Sequence, residues 1–214
     1  MKRACVIGWP IEHSRSPLIH GYWLDKYGID GSYTKQAVKP EDLPDFLGKL
    51  ADNGFAGCNV TVPHKEQAYE LADIRDGAAM AVEAANTLWL ENGRLHASNT
   101  DIYGFMTHLE RSAPGWNDKG RPIALLGAGG AARAILYGLL GAGAKEVRII
   151  NRNKERAQEL ASFYDKGVSV VDWGVRDECL EECGLVVNTT TLGMTGAPEL
   201  DLSLENLPRD AVVM

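Results

Sequence analysis

Hydroxyl, amide and ammonium groups follow apolar segments in the first half of the chain. Ser14 and Ser16 come shortly after the apolar run 4–8, and Thr61 and Lys65 come after a second apolar segment. Two hydroxyls two residues apart beyond a strand can hydrogen-bond a polyol or a carboxylate. A lysine with an aspartate nearby in a pocket can exchange a proton with an alcohol or a carbonyl oxygen. This half of the chain therefore carries residue types suited to holding and protonating a small polar molecule.

These residues also have a simpler interpretation as helix caps. Ser16 followed by Pro17 predicts the N-cap and first turn of a helix. Residues 99–101 likewise fit the cap of a helix over 101–111. Capping does not account for the repeated pairing of asparagine with threonine in one small α/β unit. The three groups are Asn59 with Thr61, Asn86 with Thr87, and Asn99 with Thr100.

A glycine-rich turn is the clearest motif of the second half. An apolar strand precedes the turn, a helix to about Gly141 follows it, and a strand over 146–150 comes next. Within this βαβ unit, the spacing G-x-G-x-x-A falls on Gly127, Gly129 and Ala132. In that context the turn predicts a dinucleotide site, with the pyrophosphate at the N-terminus of the helix.

The residues after the strand 146–150 bear on the choice of cofactor. NAD enzymes usually place an acidic residue here for the ribose 2′-hydroxyl. This chain has Asn151, Arg152 and Asn153, with Arg156 one turn later. A guanidinium can pair with a 2′-phosphate through two hydrogen bonds. The alternative is a solvated helix start, but cations in a first turn oppose the helix dipole, so we expect NADP.

Three more strands are predicted, over 168–171, 185–188 and 211–214. The loop after the second of these leaves the C-terminal end of a strand, where ligands bind in open α/β sheets. Thr189 and Met194 lie in that loop. Met194 fits either a nicotinamide contact or a place in the core.

Composition excludes several classes of protein. The 214 residues include 22 Lys and Arg against 29 Asp and Glu, a formal charge of −7, which argues against a nucleic-acid partner. No run approaches the roughly 18 apolar residues of a membrane span. The four cysteines lack the spacing of metal ligands. We expect them to be free thiols in a cytoplasmic protein without a metal site.

Seven blocks of sequence resemble the shikimate dehydrogenase family, in order and over essentially the whole chain. The resemblance implies two α/β domains, a substrate-binding and catalytic domain over 1–103 and a Rossmann-type NADP-binding domain over 104–214, with a cleft between them. It implies an oxidoreductase that reversibly reduces 3-dehydroshikimate to shikimate with NADPH in aromatic amino-acid biosynthesis, as a monomer or homodimer. The blocks span residues 8–20, 57–65, 84–88, 99–104, 127–134, 151–156 and 188–194.

The resemblance also implies roles for individual residues. Lys65 matches the catalytic lysine, and Asp101 its partner in proton transfer. Ser14 and Ser16 match the hydroxyls that hold the substrate carboxylate. The substrate-binding residues implied are Ser14, Ser16, Thr61, Asn86 and Asp101, and the cofactor-binding residues are Gly127, Ala128, Gly129, Gly130, Ala131, Asn151, Arg152, Asn153, Arg156, Thr189 and Met194.

The sequence departs from the family pattern at a few positions. Glu83 and Ala97 stand where the family usually has glycine, and Asn153 stands where threonine is commoner. Family members also continue past the last strand with a tyrosine and a glutamine that contact substrate, and with a helix that returns to the first domain. We therefore expect this chain to be a truncated member.

Two alternative functions remain open from the sequence. One is a quinate/shikimate dehydrogenase of broader specificity, although the serine pair and the arginines favour shikimate and NADP. The other is a catalytically silent NADP-binding module, which the presence of Lys65 and Asp101 disfavours.

Overall fold

The computed structural model describes residues 1–194 and 196–214. They form two compact units, Met1–Thr100 and Asp101–Met214. The domain boundary predicted between residues 103 and 104 falls within the helix Asp101–Ser112, just after this division. Both units combine strands with helices, which confirms the predicted α/β class. Among the described residues, no helix has both the length and the apolar character needed to cross a membrane.

The first unit is built on one mixed sheet of six strands in the order β2-β1-β3-β5-β6-β4. Its strands are β1 (Lys2–Gly8), β2 (Gly31–Ala37), β3 (Gly57–Val60), β4 (Ile74–Arg75), β5 (Thr87–Glu91) and β6 (Arg94–Ser98). Its helices are α1 (Ser16–Lys26), α2 (Leu43–Gly48), α3 (Lys65–Leu71) and α4 (Gly77–Val82), with a 3-10 turn at Pro40–Asp42.

Parallel and antiparallel pairing meet inside this sheet. Strand β1 runs parallel to β2 and β3, whereas β5 runs antiparallel to both β3 and β6. The β5–β6 hairpin turns at Asn92 and Gly93, whose φ angles of 52° and 75° suit this pair of residues. Cys5, Ile7 and Val60 pack in the core of the unit, so apolar side chains of the central strands hold the sheet to its helices.

The second unit is a five-stranded sheet in the order β11-β10-β7-β8-β9, and every strand pair is parallel. Its strands are β7 (Ile123–Leu126), β8 (Val147–Ile150), β9 (Val168–Val171), β10 (Leu185–Asn188) and β11 (Val212–Val213). Its helices are α5 (Asp101–Ser112), α6 (Gly130–Gly141) and α7 (Lys154–Ala161), with 3-10 turns at Trp173–Val175 and Glu178–Leu180.

The central strand β7 of this sheet is covered on both faces. Ile123 and Leu125 pack in one core cluster, whereas Ala124 and Leu126 pack in another. A short, continuously apolar strand is typical of a parallel sheet with helices or turns on both sides. The chain order reverses between β7 and β10, which creates a topological switch point at the C-terminal edge of the sheet.

Candidate functional site

Strand register in the first unit brings the predicted substrate residues to one edge of the sheet. Ile7 pairs with Val60, so the loops after β1 and β3 leave the sheet together. Thr87 pairs with both Asn59 and Ser98, so the start of β5 and the end of β6 lie at the same edge. The segments that follow or precede these strand ends carry Ser14, Ser16, Thr61, Lys65, Asn86 and Thr100.

The serine pair sits at the start of α1. The Ser14 hydroxyl donates to Ser16 Oγ at 3.3 Å and accepts the backbone N–H of Ser16 at 3.3 Å. The predicted N-cap role of Ser16 is wrong, because the cap residue is Arg15 and Ser16 is the first helical residue. Ser14 therefore supplies the local hydrogen bond, and both hydroxyls lie together at the first turn.

Lys65 is the first residue of α3 and its side chain is half-buried. Thr61 N–H donates to Ile7 O at 2.9 Å, which joins the loop before Lys65 to the end of β1. The backbone N–H of Ala85 donates to the carbonyl oxygen of Lys65 at 2.8 Å. Backbone hydrogen bonds thus fix Lys65 beside the segment that carries Asn86.

His64 is a residue of this loop that sequence reasoning missed. The imidazole is 1% exposed, and its Nε2 lies 2.7 Å from the carbonyl oxygen of Val38. Burial lowers the pKa of His64 despite that hydrogen bond, so the ring is neutral near pH 7. A histidine directly before the lysine was the available signal, but the sequence could not show that the ring points inward.

The side chain of Asn86 is held by residues that follow β6. Its Nδ2 donates to Thr100 Oγ1 at 2.9 Å, and its Oδ1 accepts the Thr100 N–H at 3.0 Å. Asn99, which is 3% exposed, donates from Nδ2 to Ala84 O at 2.9 Å. Asparagine side chains therefore tie the segment before β5 to the segment after β6.

Asp101 belongs to the second unit, where it is the half-buried first residue of α5. An acidic residue in the first turn complements the helix dipole. Its partnership with Lys65 in proton transfer stays a prediction.

The glycine turn of the second unit has the backbone shape that the motif predicts. Gly127 has φ of +109°, and a Cβ there would lie 2.4 Å from Thr189 Oγ1. The Thr189 hydroxyl donates to Leu126 O at 2.6 Å, and Gly127 N–H donates to Ile150 O at 2.9 Å. Three strand ends are thereby locked around the turn, and only glycine fits at residue 127.

The arginines predicted to recognise a 2′-phosphate lie at the start of α7. Arg156 Nε donates to Ala128 O at 3.0 Å, which brings its guanidinium to the glycine turn. Asn153 is the N-cap, and its Oδ1 accepts the Arg156 N–H at 2.8 Å. Asn151 Nδ2 donates to Asn153 O at 2.7 Å. Arg152 is exposed between the two asparagines.

The loop after β10 carries an exposed methionine. Asn188 Oδ1 accepts from both the N–H and the hydroxyl of Thr190, at 3.0 and 2.7 Å. Met194 is 41% exposed, which rules out the core position considered for it. Its contact with a nicotinamide stays a prediction.

The residues at the C-terminal edge of the second sheet fit a dinucleotide. The glycine turn 127–129 precedes the twelve-residue helix α6, whose first turn, with Gly130 and Ala131, supplies N–H groups without intrahelical acceptors. A Cβ at Gly129 would extend toward Arg156 Nη2, 3.9 Å away, so the missing side chain leaves the backbone accessible beside a cation. Bare backbone, a helix N-terminus and a guanidinium together match the needs of a phosphorylated ligand.

A parallel sheet with this turn at its switch point defines a dinucleotide-binding domain, here joined to a second α/β unit. Comparison with known families places both units in one protein class. Residues 6–88 match the shikimate dehydrogenase substrate binding domain, and residues 110–195 match the shikimate / quinate 5-dehydrogenase domain. The chain belongs to the shikimate dehydrogenase family.

Individual relatives agree with this assignment. A shikimate dehydrogenase (NADP(+)) of Brucella canis is 51% identical over 99% of this chain and 74% of its own length. The structure of shikimate 5-dehydrogenase from Thermus thermophilus in complex with NADP(H) and shikimate superposes with a TM-score of 0.83 at 33% identity, covering 100% of this chain and 77% of that one. Quinate dehydrogenase from Corynebacterium glutamicum in complex with NAD gives 0.85 at 27% identity, covering 99% and 78%.

Proposed function

We propose that this chain catalyses the NADP-linked reduction of 3-dehydroshikimate to shikimate and the reverse oxidation, a step of aromatic amino-acid biosynthesis. The chain's relatives support this, since the Brucella canis protein bears the name shikimate dehydrogenase (NADP(+)) at 51% identity. The observation that carries the proposal is the strand register of the first sheet, which brings the segments with Ser14, Lys65 and Asn86 to one edge. Hydroxyl, ammonium and amide groups converging at one edge suit a substrate with a carboxylate, a carbonyl and ring hydroxyls.

We assign substrate orientation to the hydroxyl and amide side chains. The Ser14 and Ser16 hydroxyls each have one O–H to donate, which matches the two oxygens of a carboxylate. Thr61, Asn86 and Asp101 are assigned to the ring hydroxyls, because each side chain can accept or donate at that position. With this assignment, several directed hydrogen bonds hold the substrate so that its reacting carbon has a fixed position. Such positioning lowers the entropic part of the activation barrier.

We assign proton transfer to Lys65. When bound at the glycine turn, NADPH supplies a hydride to the carbonyl carbon. The carbonyl oxygen then gains negative charge, and the Lys65 ammonium is assigned to donate a proton from Nζ to it. In the oxidative direction the neutral amine of Lys65 takes the same proton from the alcohol. Asp101 is assigned to exchange that proton with Lys65.

Substitution of Lys65 tests this proposal. Lys65→Met is expected to lower kcat for shikimate oxidation by about 10²–10⁴-fold, the usual contribution of a positioned acid or base. Lys65→Arg separates charge from proton transfer, because a guanidinium keeps the charge but does not release its proton near pH 7. Lys49→Met is the control, since Lys49 is an exposed lysine whose ion pair is with Asp45. Wild-type kcat in Lys65→Met would exclude the assigned role.

We also place the enzyme in the cytoplasm. Cys5 and Cys58 stand opposite each other on the paired strands β1 and β3, yet both are free thiols. Oxidising compartments favour disulfides, so neighbouring free thiols support a reducing one. Cell fractionation tests this, and activity recovered with extracytoplasmic proteins would contradict it.

A further inference from the structure

A continuous line of hydrogen bonds starts at Tyr33 on β2 and leads to Asn86, one of the predicted substrate residues at the edge of the first sheet. The Tyr33 hydroxyl donates to Asn59 Oδ1 at 2.6 Å. Asn59 Nδ2 then donates to Thr87 Oγ1 at 3.2 Å and to the backbone oxygen of Asn86 at 3.3 Å. Because the backbone oxygen of Asn86 can only accept, Asn59 Nδ2 faces it, and the Tyr33 hydroxyl anchors the Oδ1 side of the same amide.

The same line ends on the side chain of Asn86. The Thr87 hydroxyl accepts from Asn59 and donates to Asn86 Oδ1 at 2.9 Å. That oxygen also accepts the backbone N–H of Thr100 at 3.0 Å, while Asn86 Nδ2 donates to Thr100 Oγ1 at 2.9 Å. Donors on Oδ1 and an acceptor on Nδ2 fix the orientation of the Asn86 amide.

The ring of Tyr33 connects the same residue to α1. His20 stacks on it with ring centroids 4.0 Å apart and an interplanar angle of 4°, and Trp23 meets the edge of His20 at 5.3 Å. His20 lies one turn beyond Ser16 on the helix that carries the serine pair. Tyr33 therefore contacts α1 through its ring and β3 through its hydroxyl.

We propose that Tyr33 is a positioning residue for substrate binding, whose hydroxyl anchors the Asn59 amide and, through Thr87, holds the Asn86 side chain in place. The inference rests on the proposed function, because it takes Asn86 as a substrate contact. Burial raises the pKa of Tyr33 above its usual value, so its hydroxyl stays protonated and remains a donor at working pH.

Tyr33→Phe tests the role by removing the hydroxyl while keeping the ring that stacks on His20. We expect a loss in kcat/KM for shikimate of about fivefold to tenfold, the usual effect of one hydrogen bond. The KM for NADP⁺ should stay near wild type, and the melting temperature should fall by about 2–4 °C, since one hydrogen bond is worth about 1 kcal/mol. Thr87→Val cuts the next link of the same line and should reproduce the defect. Tyr22→Phe is the control, since the Tyr22 side chain is 61% exposed.

A double-mutant cycle separates positioning from general stability. In an Asn86→Ala background, Tyr33→Phe and Thr87→Val should cause no further loss, because the side chain they orient is gone. Additive losses, or wild-type kinetics in both single variants, would overturn the inference while leaving the proposed function intact. A wild-type protein that binds NADP⁺ but neither binds nor oxidises shikimate would overturn both.

Discussion

The guanidinium of Arg156 donates its Nε–H to the carbonyl oxygen of Ala128 at 3.0 Å. This contact joins the first turn of α7 to the glycine turn that precedes α6. A cation held against a bare backbone turn is well placed for a phosphate.

Arg156→Ala is expected to weaken NADP⁺ binding by about 10–100-fold, the range for hydrogen bonds to a charged group. NAD⁺ binding should change much less, because NAD⁺ lacks the 2′-phosphate. Calorimetric titration with both cofactors measures the difference. Lys145→Ala is the matched control, since this exposed lysine precedes β8 at the opposite edge of the sheet. Equal losses for NADP⁺ and NAD⁺ would contradict the assignment of Arg156.

Gly127→Ala should disrupt the cofactor turn. The backbone φ of +109° disfavours a side chain, and the new Cβ would lie 2.4 Å from Thr189 Oγ1. We expect a loss of about 1–3 kcal/mol in the free energy of unfolding, together with weaker NADP⁺ binding. Gly141→Ala, at the end of α6 with nothing within 4 Å of its Cβ position, should be neutral or stabilising. Urea unfolding of both variants provides the measurement, and similar stabilities would argue against strain at Gly127.

Glu83 and Ala97 stand where the family usually has glycine, and replacing each by glycine should change the free energy of unfolding in opposite directions. Glu83 has φ of +48° at the end of α4, so Glu83→Gly relieves a left-handed backbone and should stabilise the protein by up to ~1 kcal/mol. Ala97 is 1% exposed in the middle of β6, so Ala97→Gly should destabilise by ~0.5–1 kcal/mol. Thermal melts of both variants test the pair. Destabilisation by Glu83→Gly would mean that the contacts of Glu83 outweigh the backbone strain.

His64 should make stability fall in mild acid. Because burial lowers its folded-state pKa below 6.5, the unfolded chain binds a proton that the folded chain does not. Its contribution is complete above pH 6.5 and is lost as the pH falls toward the lowered value. Replacing His64 with Gln should flatten the dependence of the unfolding free energy on pH, by up to ~1.4 kcal/mol per pH unit. His20, whose pKa burial also lowers, is present in both proteins and cancels. Parallel pH curves would disprove the claim.

The parts of the fold that depend on short segments were predictable. The strand, glycine turn and helix over 123–141 follow from local sequence. The place of Arg152 and Arg156 directly after β8 also follows from local sequence. The β5–β6 hairpin was missed, although Asn92-Gly93 is a strong turn signal.

The support beneath the site was not predictable, because it depends on side chains far apart in the sequence. Tyr33 and Asn59 meet only through the pairing of β2, β1 and β3, and His64 reaches Val38 only once the chain is folded. Local motifs indicate which residues carry chemistry. They do not indicate which neighbours hold those residues in place, since that information lies in strand register.

The central claim is that this chain oxidises shikimate with NADP⁺. The most direct test compares kcat/KM for shikimate and quinate, each with NADP⁺ and NAD⁺, in the wild-type protein and in Lys65→Met. We expect the highest value for shikimate with NADP⁺ and the loss of that activity in Lys65→Met. Equal or better turnover of quinate with NAD⁺ would favour a quinate dehydrogenase of broader use. Binding of NADP⁺ without turnover of either substrate would contradict the account and favour a catalytically silent module.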